Sequence, residues 1–284
     1  MRHTEGIQVT RDTGIKRSAL RLCRFALALR IRIIMRGLIV EGIKLLILPV
    51  GYWRLIPNAF AYQEFLRLNN PRILDVSSPK FLSVFFATMT AQEVHATDLD
   101  DERIFSRWKI VANALGLANY MVDYQDARRL TYPDQSFDFV YSISVIEHIA
   151  DDGDTVSLRE FRRVLKPGGT LVIQILYRGI RDDIRRPFDS KGMPLSEPRF
   201  YERHYDMDRL KERLEPEGLN LTKRVIMGEW LKLDPFISAT SRLPRFLRIA
   251  IGAFEPLLAM ANYWARPDDA QGYPLGALLV YRKP

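Results

Sequence analysis

The chain predicts an α/β protein with a doubly wound, mostly parallel sheet. Two observations carry the prediction. From residue 72 onward, short apolar runs of strand length alternate with stretches of helical period, the order of a sheet whose strands return through helices. The first three of these runs also end at or just before an acid: Asp75, Asp98 and Asp126. In such a sheet, ligands bind in the crevice outside the carboxyl ends of the strands.

The elements follow in chain order. Ile73-Leu74-Asp75-Val76 is a short strand, and residues 80–89 read as a helix on Phe81, Leu82, Phe85 and Phe86. Residues 94–97 form the second strand, which ends at Asp98. Asp101 or a neighbour caps the next helix, which runs through Ile104, Trp108, Val111 and Leu115 and stops near Gly116. Residues 120–124 and 137–141 are strands three and four. The cluster Asp151, Asp152 and Asp154 suits the start of a helix through Val156, Phe161 and Val164. Gly168 or Gly169 suits its end, and residues 170–176 form strand five. Further on, Phe200 to Leu210 leads into a helix at 210–214. A strand follows from Glu217-Gly218-Leu219 to about Gly228, and residues 277–282 close the sheet.

The wording from Asp126 to Ile173 is the most specific part of the chain. It runs Asp126-Ala127, the strand Phe137-Asp138-Phe139-Val140-Tyr141-Ser142, Ile146-Glu147-His148-Ile149, and Leu165-Lys166-Pro167-Gly168-Gly169-Thr170-Leu171-Val172-Ile173. It resembles the class I S-adenosylmethionine (SAM)-dependent methyltransferases, especially their small-molecule and lipid branch. The resemblance covers about residues 70–228 and 275–284. It implies a Rossmann-like sheet of seven strands with N-terminal helices, and an antiparallel hairpin of strands six and seven at the sheet edge. It also implies SAM as cofactor and methyl transfer to a small or lipid-like acceptor. By the same resemblance Asp98 receives the ribose diol, Leu99 packs on the adenine, and Asp126 with Ala127 recognises the adenine amino group and ring. Asp75, Ser77, Ser78 and Ser142 complete the expected cofactor site.

One loop departs from that pattern. Where the family has Asp-x-Gly-x-Gly-x-Gly, this chain has Asp75-Val76-Ser77-Ser78-Pro79-Lys80-Phe81. Glycine allows unusual backbone angles and close approach of a ligand, and here all three glycines are gone. Either the serine hydroxyls now meet the amino-acid end of SAM, or the domain has become a non-catalytic binding or scaffold protein. The retained Asp98 and Asp126 favour the first. Methyl transfer itself needs mainly alignment, and an oxygen or nitrogen acceptor adds a need for a base. His148 follows strand four at the mouth of the crevice, and His204 lies near strand six. These are the catalytic candidates, each with a structural role as helix start or cap as its alternative.

Between strands six and seven stand some 45 residues where a few would suffice. The excess, 231–273, carries Phe246, Leu247, Ile249, Ile251, Phe254, Leu257, Leu258, Met260 and Trp264, and reads as apolar helices that cover substrate, partner subunit or membrane.

Residues 1–56 hold 11 Lys/Arg and 3 Asp/Glu, whereas the rest of the chain is balanced, with 31 of each. The net charge of +8 therefore belongs to an N-terminal appendage, with the methyltransferase-like domain expected over 57–284. Wound as a helix, Arg17, Arg21, Arg24 and Arg32 share one side, opposite Leu22, Ala26, Ile33, Ile34 and Val40, with Arg30 interrupting the apolar face. That pattern suits peripheral contact of residues 17–53 with an anionic membrane. A helix packed on the domain fits equally well, and an Arg-rich transit segment stays open. No charge-free run reaches the ~20 residues of a membrane span. The single Cys23 excludes an internal disulfide, and the four histidines show no metal-ligand spacing. The expected setting is cytoplasmic, peripheral on the inner membrane face. Nucleic acid is disfavoured by the neutral core region, by missing aromatic interleaving and by the absence of base-methylation signatures after strand four. A dinucleotide-dependent oxidoreductase is disfavoured by the glycine-free first loop.

Overall fold

The computed structural model describes residues 13–40, 42, 51–99, 102–188, 193–240, 243, 244, 247, 251–267 and 272–284. Asp101, Phe246 and Ile249, which the sequence reading used, lie outside them. Helices α1 (Thr13–Met35) and α2 (Tyr52–Phe65) precede the sheet. Then come β1 (Ile73–Val76), α3 (Phe81–Ala87), β2 (Val94–Asp98), α4 (Glu102–Leu115), β3 (Tyr120–Tyr124) and β4 (Phe137–Ile143). A 3₁₀ turn (Ile146–His148) leads to α5 (Gly153–Val164) and β5 (Leu165–Ile175). Strands β6 (Asp182–Phe188) and β7 (Pro194–His204) pair with each other. The chain continues through α6 (Met207–Leu214), β8 (Asn220–Glu229), α7 (Asp234–Thr240), α8 (Glu255–Asn262), β9 (Tyr263–Arg266) and β10 (Tyr273–Arg282).

The main sheet has the order β3-β2-β1-β4-β5-β10-β8-β9. Strands β1 to β5 run parallel, and β10 is inserted antiparallel between β5 and β8. The first five strands and the antiparallel closing pair stand where the sequence places them. Among the described residues the sheet has eight strands, however, not seven. The eighth is β9, which comes from the 231–273 insertion and pairs outside β8, so the β8–β10 pair is not the edge. Beside the sheet stands the two-stranded β6–β7 hairpin, whose outer parts are exposed.

The central strands are largely apolar because both faces are covered. On one face Phe139, Tyr141, Val172, Leu278 and Val280 meet α1, α2 and α3. On the other, Val140, Leu171, Ile173, Leu279 and Tyr281 meet α5 and α6. Successive strand residues point to opposite faces, so β4, β5 and β10 feed both cores.

Helix α1 belongs to the first core. Ile15, Ala19, Leu22, Ala26, Leu29 and Ile33 recur at helical spacing, and none is more than 1% exposed. Leu22, Ala26 and Ile33, which the sequence offers equally to lipid or to protein, are thus buried against protein. Ile34 and Val40 are exposed. The expected domain boundary at 56/57 falls inside α2. No helix among the described residues is long and apolar enough to cross a membrane.

Candidate active site

The parallel strands bring their carboxyl ends to one side, and the loop after β1 forms the centre of that side. Ser77 takes a left-handed backbone, φ +56°, at the position of the family's first glycine. The next turn is braced by Asp75, whose Oδ1 accepts the Ser78 N–H at 2.9 Å. The Ser78 hydroxyl accepts the Ile143 N–H at 2.8 Å, and the Ser142 hydroxyl donates to the Val76 carbonyl at 3.1 Å. Ser78 and Ser142 are therefore buried staples between the loop and β4. These two hydrogen bonds tie the loop to the end of β4.

Lys80 is the feature that the sequence did not announce. Its ammonium donates to the carbonyls of Ser78 and Thr97, both at 2.7 Å. It stands 3.9 Å from Asp75 and 3.6 Å from Asp98, with its side chain 1% exposed. Burial lifts the Asp75 carboxyl above its ordinary pKa, and the Lys80 charge opposes that lift. Asp98 is different: its carboxylate remains 27% exposed at the end of β2, with the exposed Leu99 beside it. Asp126, after β3, is chelated by Arg128, whose Nε and Nη2 lie 2.7–3.1 Å from its oxygens. That hydrogen bonding holds its carboxyl below the ordinary range. Ala127 is buried next to it.

A cavity of about 390 Å³ opens beyond the ends of β4 and β5, and its lining includes no residue of the 75–81 loop. One wall carries Ser144, Glu147, His148, Gln174 and Tyr201. The opposite wall comes from the start of α2, the end of β8 and the insertion: Tyr52, Trp53, Glu229, Asp234 and Tyr263. The far wall is locked by polar contacts. The Tyr52 hydroxyl donates to Glu229 at 2.7 Å and accepts from Asn262 at 2.8 Å, while the Trp53 indole N–H donates to Asp234 at 2.7 Å. The β6–β7 hairpin supplies Arg186, whose guanidinium lies 3.2 Å from the Tyr201 ring centroid.

His148 faces this cavity. Its Nδ1 lies 2.9 Å from the Tyr201 carbonyl, which can only accept, so Nδ1 carries the proton and Nε2 is left as the basic nitrogen. Glu147, next in sequence, is buried, and one of its oxygens has no partner within the described residues. Burial, and secondarily the charge of Glu202, push its pKa up to about 8 against backbone donors. His204 ends β7, 3.2 Å from Glu202, and is not among the cavity-lining residues. The structure thus brings Asp75, Ser77, Ser78, Asp98 and Ser142 around one loop and sets His148 at the cavity beyond β4 and β5.

Residues 75–173 match the family described as methyltransferase domain. The chain is 34% identical over 108 residues to the methyltransferase GfsG of Streptomyces halstedii, covering 38% of this chain and 37% of that protein. It is 33% identical over 121 residues to the 2-methyl-6-phytyl-1,4-hydroquinone methyltransferase of a Synechocystis species, covering 40% and 35%. The chain therefore spans little more than a third of the length of either relative. Among solved structures, the [4+2]-cyclase SpnF superposes with a TM-score of 0.54 at 19% identity, over 82% of this chain and 87% of that one, which establishes a shared fold.

Proposed function

From the premise that residues 75–173 form a class I SAM-dependent methyltransferase domain, we propose that the chain moves a methyl group from SAM to a small, lipid-like acceptor at a membrane surface. The observation that carries this reading is that two sites stand past the carboxyl ends of parallel strands: Asp98 at the end of β2, and a cavity after β4 that presents a histidine with a basic nitrogen.

The donor set fits the cofactor. Asp98 keeps exposed acceptor oxygens suited to a ribose diol, and Ser77 keeps the left-handed turn that glycine would otherwise provide. Leu99 offers an apolar surface, and Asp126 and Ala127 stand at the adenine end of the family pattern. SAM, when bound, supplies an electrophilic methyl group. The chain's part is to align the acceptor and to handle its proton. His148 Nε2 takes a proton from an acceptor hydroxyl, and the Tyr201 carbonyl holds the ring in that tautomer and steadies the imidazolium that forms. Glu147, protonated at neutral pH, can donate a hydrogen bond into the same cavity without adding charge.

An acceptor with an aromatic or apolar body fits walls built from Tyr52, Trp53, Tyr201 and Tyr263. The relative named for a phytyl hydroquinone supports a phenolic, lipid-tailed class. A second reading, a methyltransferase-like scaffold without cofactor, draws on Lys80, which already engages Asp98. Calorimetric titration with SAM and S-adenosylhomocysteine decides between them. Micromolar binding that is lost in Asp98→Ala supports the enzyme. Folded protein that gives no heat with either ligand leaves the scaffold.

A further inference from the structure

Helix α1 carries two apolar faces, and among the described residues only one is buried. The second consists of Leu20, Leu27, Ile31 and Ile34, which are 44, 57, 51 and 40% exposed. At about 100° per residue these four lie within roughly 60° of one another, centred about 130° round the helix from the buried face. Arg17, Arg21, Arg24 and Arg32 form an exposed row along the same helix, between that stripe and the buried face. From residue 13 to residue 40 the chain holds seven Lys or Arg and no acid.

We propose that this outward face of α1 is a docking surface for an anionic lipid bilayer, with the stripe Leu20, Leu27, Ile31 and Ile34 entering the acyl boundary and the arginine row at the head groups. The inference rests on the membrane part of the reading above, and it replaces the lipid-facing side that the sequence suggested. Charge identifies the occupant. A protein partner complementary to this face would have to bring a row of acids beside an apolar groove, whereas an anionic bilayer offers both at once along the whole ~34 Å of the helix. The helix is also placed for delivery. It packs on α2 and α8, which contribute Tyr52, Trp53 and Ala259 to the cavity wall, and α8 exposes Leu257. An acceptor held in the bilayer would therefore meet the cavity across the same helices.

The test is co-sedimentation of the full chain with phosphatidylcholine vesicles, with and without phosphatidylglycerol, alongside analytical ultracentrifugation without lipid. Binding should require phosphatidylglycerol and weaken with salt. Leu27→Glu/Ile31→Glu should abolish it, and these exposed positions leave the core untouched. Arg24→Gln/Arg32→Gln should weaken it about 25-fold, near fivefold per arginine. The proposal is overturned if the wild type ignores anionic vesicles or if the double glutamate variant binds as well as the wild type. It is equally overturned if that variant merely converts a dimer to a monomer. SAM titration of the same preparations separates the two readings: vesicle binding without SAM binding sinks the enzyme alone, and the reverse sinks the docking surface alone.

Discussion

Ser77 holds a backbone that L-residues adopt at a cost of about 1 kcal/mol, and it does so where the family pattern has glycine. The local turn has therefore outlived the residue type that usually makes it. Ser77→Gly should raise stability by up to about 1 kcal/mol in urea unfolding while leaving SAM affinity unchanged. A loss of stability would mean that the serine side chain holds the loop. Glu147 gives a second test. In the folded chain its proton is retained up to about pH 8, whereas its ordinary pKa is 4.5. Between those values the unfolded chain releases a proton that the folded chain keeps, so stability declines as pH rises through this window and then levels off. Glu147→Gln should flatten that decline in thermal melts at pH 5 to 9. At this scale the acids at strand ends were readable, because an acid after an apolar run stands out. Lys80 was not. A lysine after Ser-Ser-Pro reads as surface, and only the fold shows two carbonyls and two carboxylates converging on it.

Asp154, in the first turn of α5, shows how elements are joined. It lies 2.9 Å from Arg203 of β7 and 2.6 Å from Arg213 of α6, and it accepts the Tyr205 hydroxyl. Burial would raise its pKa, but the Arg213 hydrogen bonds, Tyr205 and the two charges hold it below the ordinary value of 3.8. Its stabilisation is present above that value and is lost as pH falls through the lower folded one. Asp154→Asn should cost about 3–5 kcal/mol, since two guanidinium groups lose their counter-charge, and should loosen the hairpin and α6 together in hydrogen exchange. The sequence marked Asp154 as a helix-start acid but held no hint of its partners, which lie some 50 residues away. The hairpin itself was unreadable for a related reason. Asp182-Asp183-Ile184-Arg185-Arg186 and Pro194 to Arg199 lack apolar alternation because their outer parts face solvent on both sides. The parallel strands, buried on both faces, announced themselves as apolar runs.

At the scale of the whole molecule, the sequence carried the strand order through its family-like segments but left the role of α1 undecided. An amphipathic helix looks the same whether its apolar side meets lipid or protein. The six buried residues of α1 now place that side in the core, and the contested face moves to the stripe behind it. The eighth strand was equally hidden. Tyr263-Trp264-Ala265-Arg266 is too short to separate from the helix before it by period alone.

The position of β10 has a consequence for how the molecule is made. Residues 273–282 bridge β5 and β8, so before they leave the ribosome the sheet exists only as two separate pieces, each with an apolar unpaired edge. Synthesis halted at residue 272 should therefore yield insoluble chains, recoverable by adding the missing strand as a peptide. Soluble, protease-resistant product from that truncation would show that the halves close without it. The nascent sheet stays open at its centre until residues 273–282 emerge, and its dependence on chaperones should be greatest just before they do.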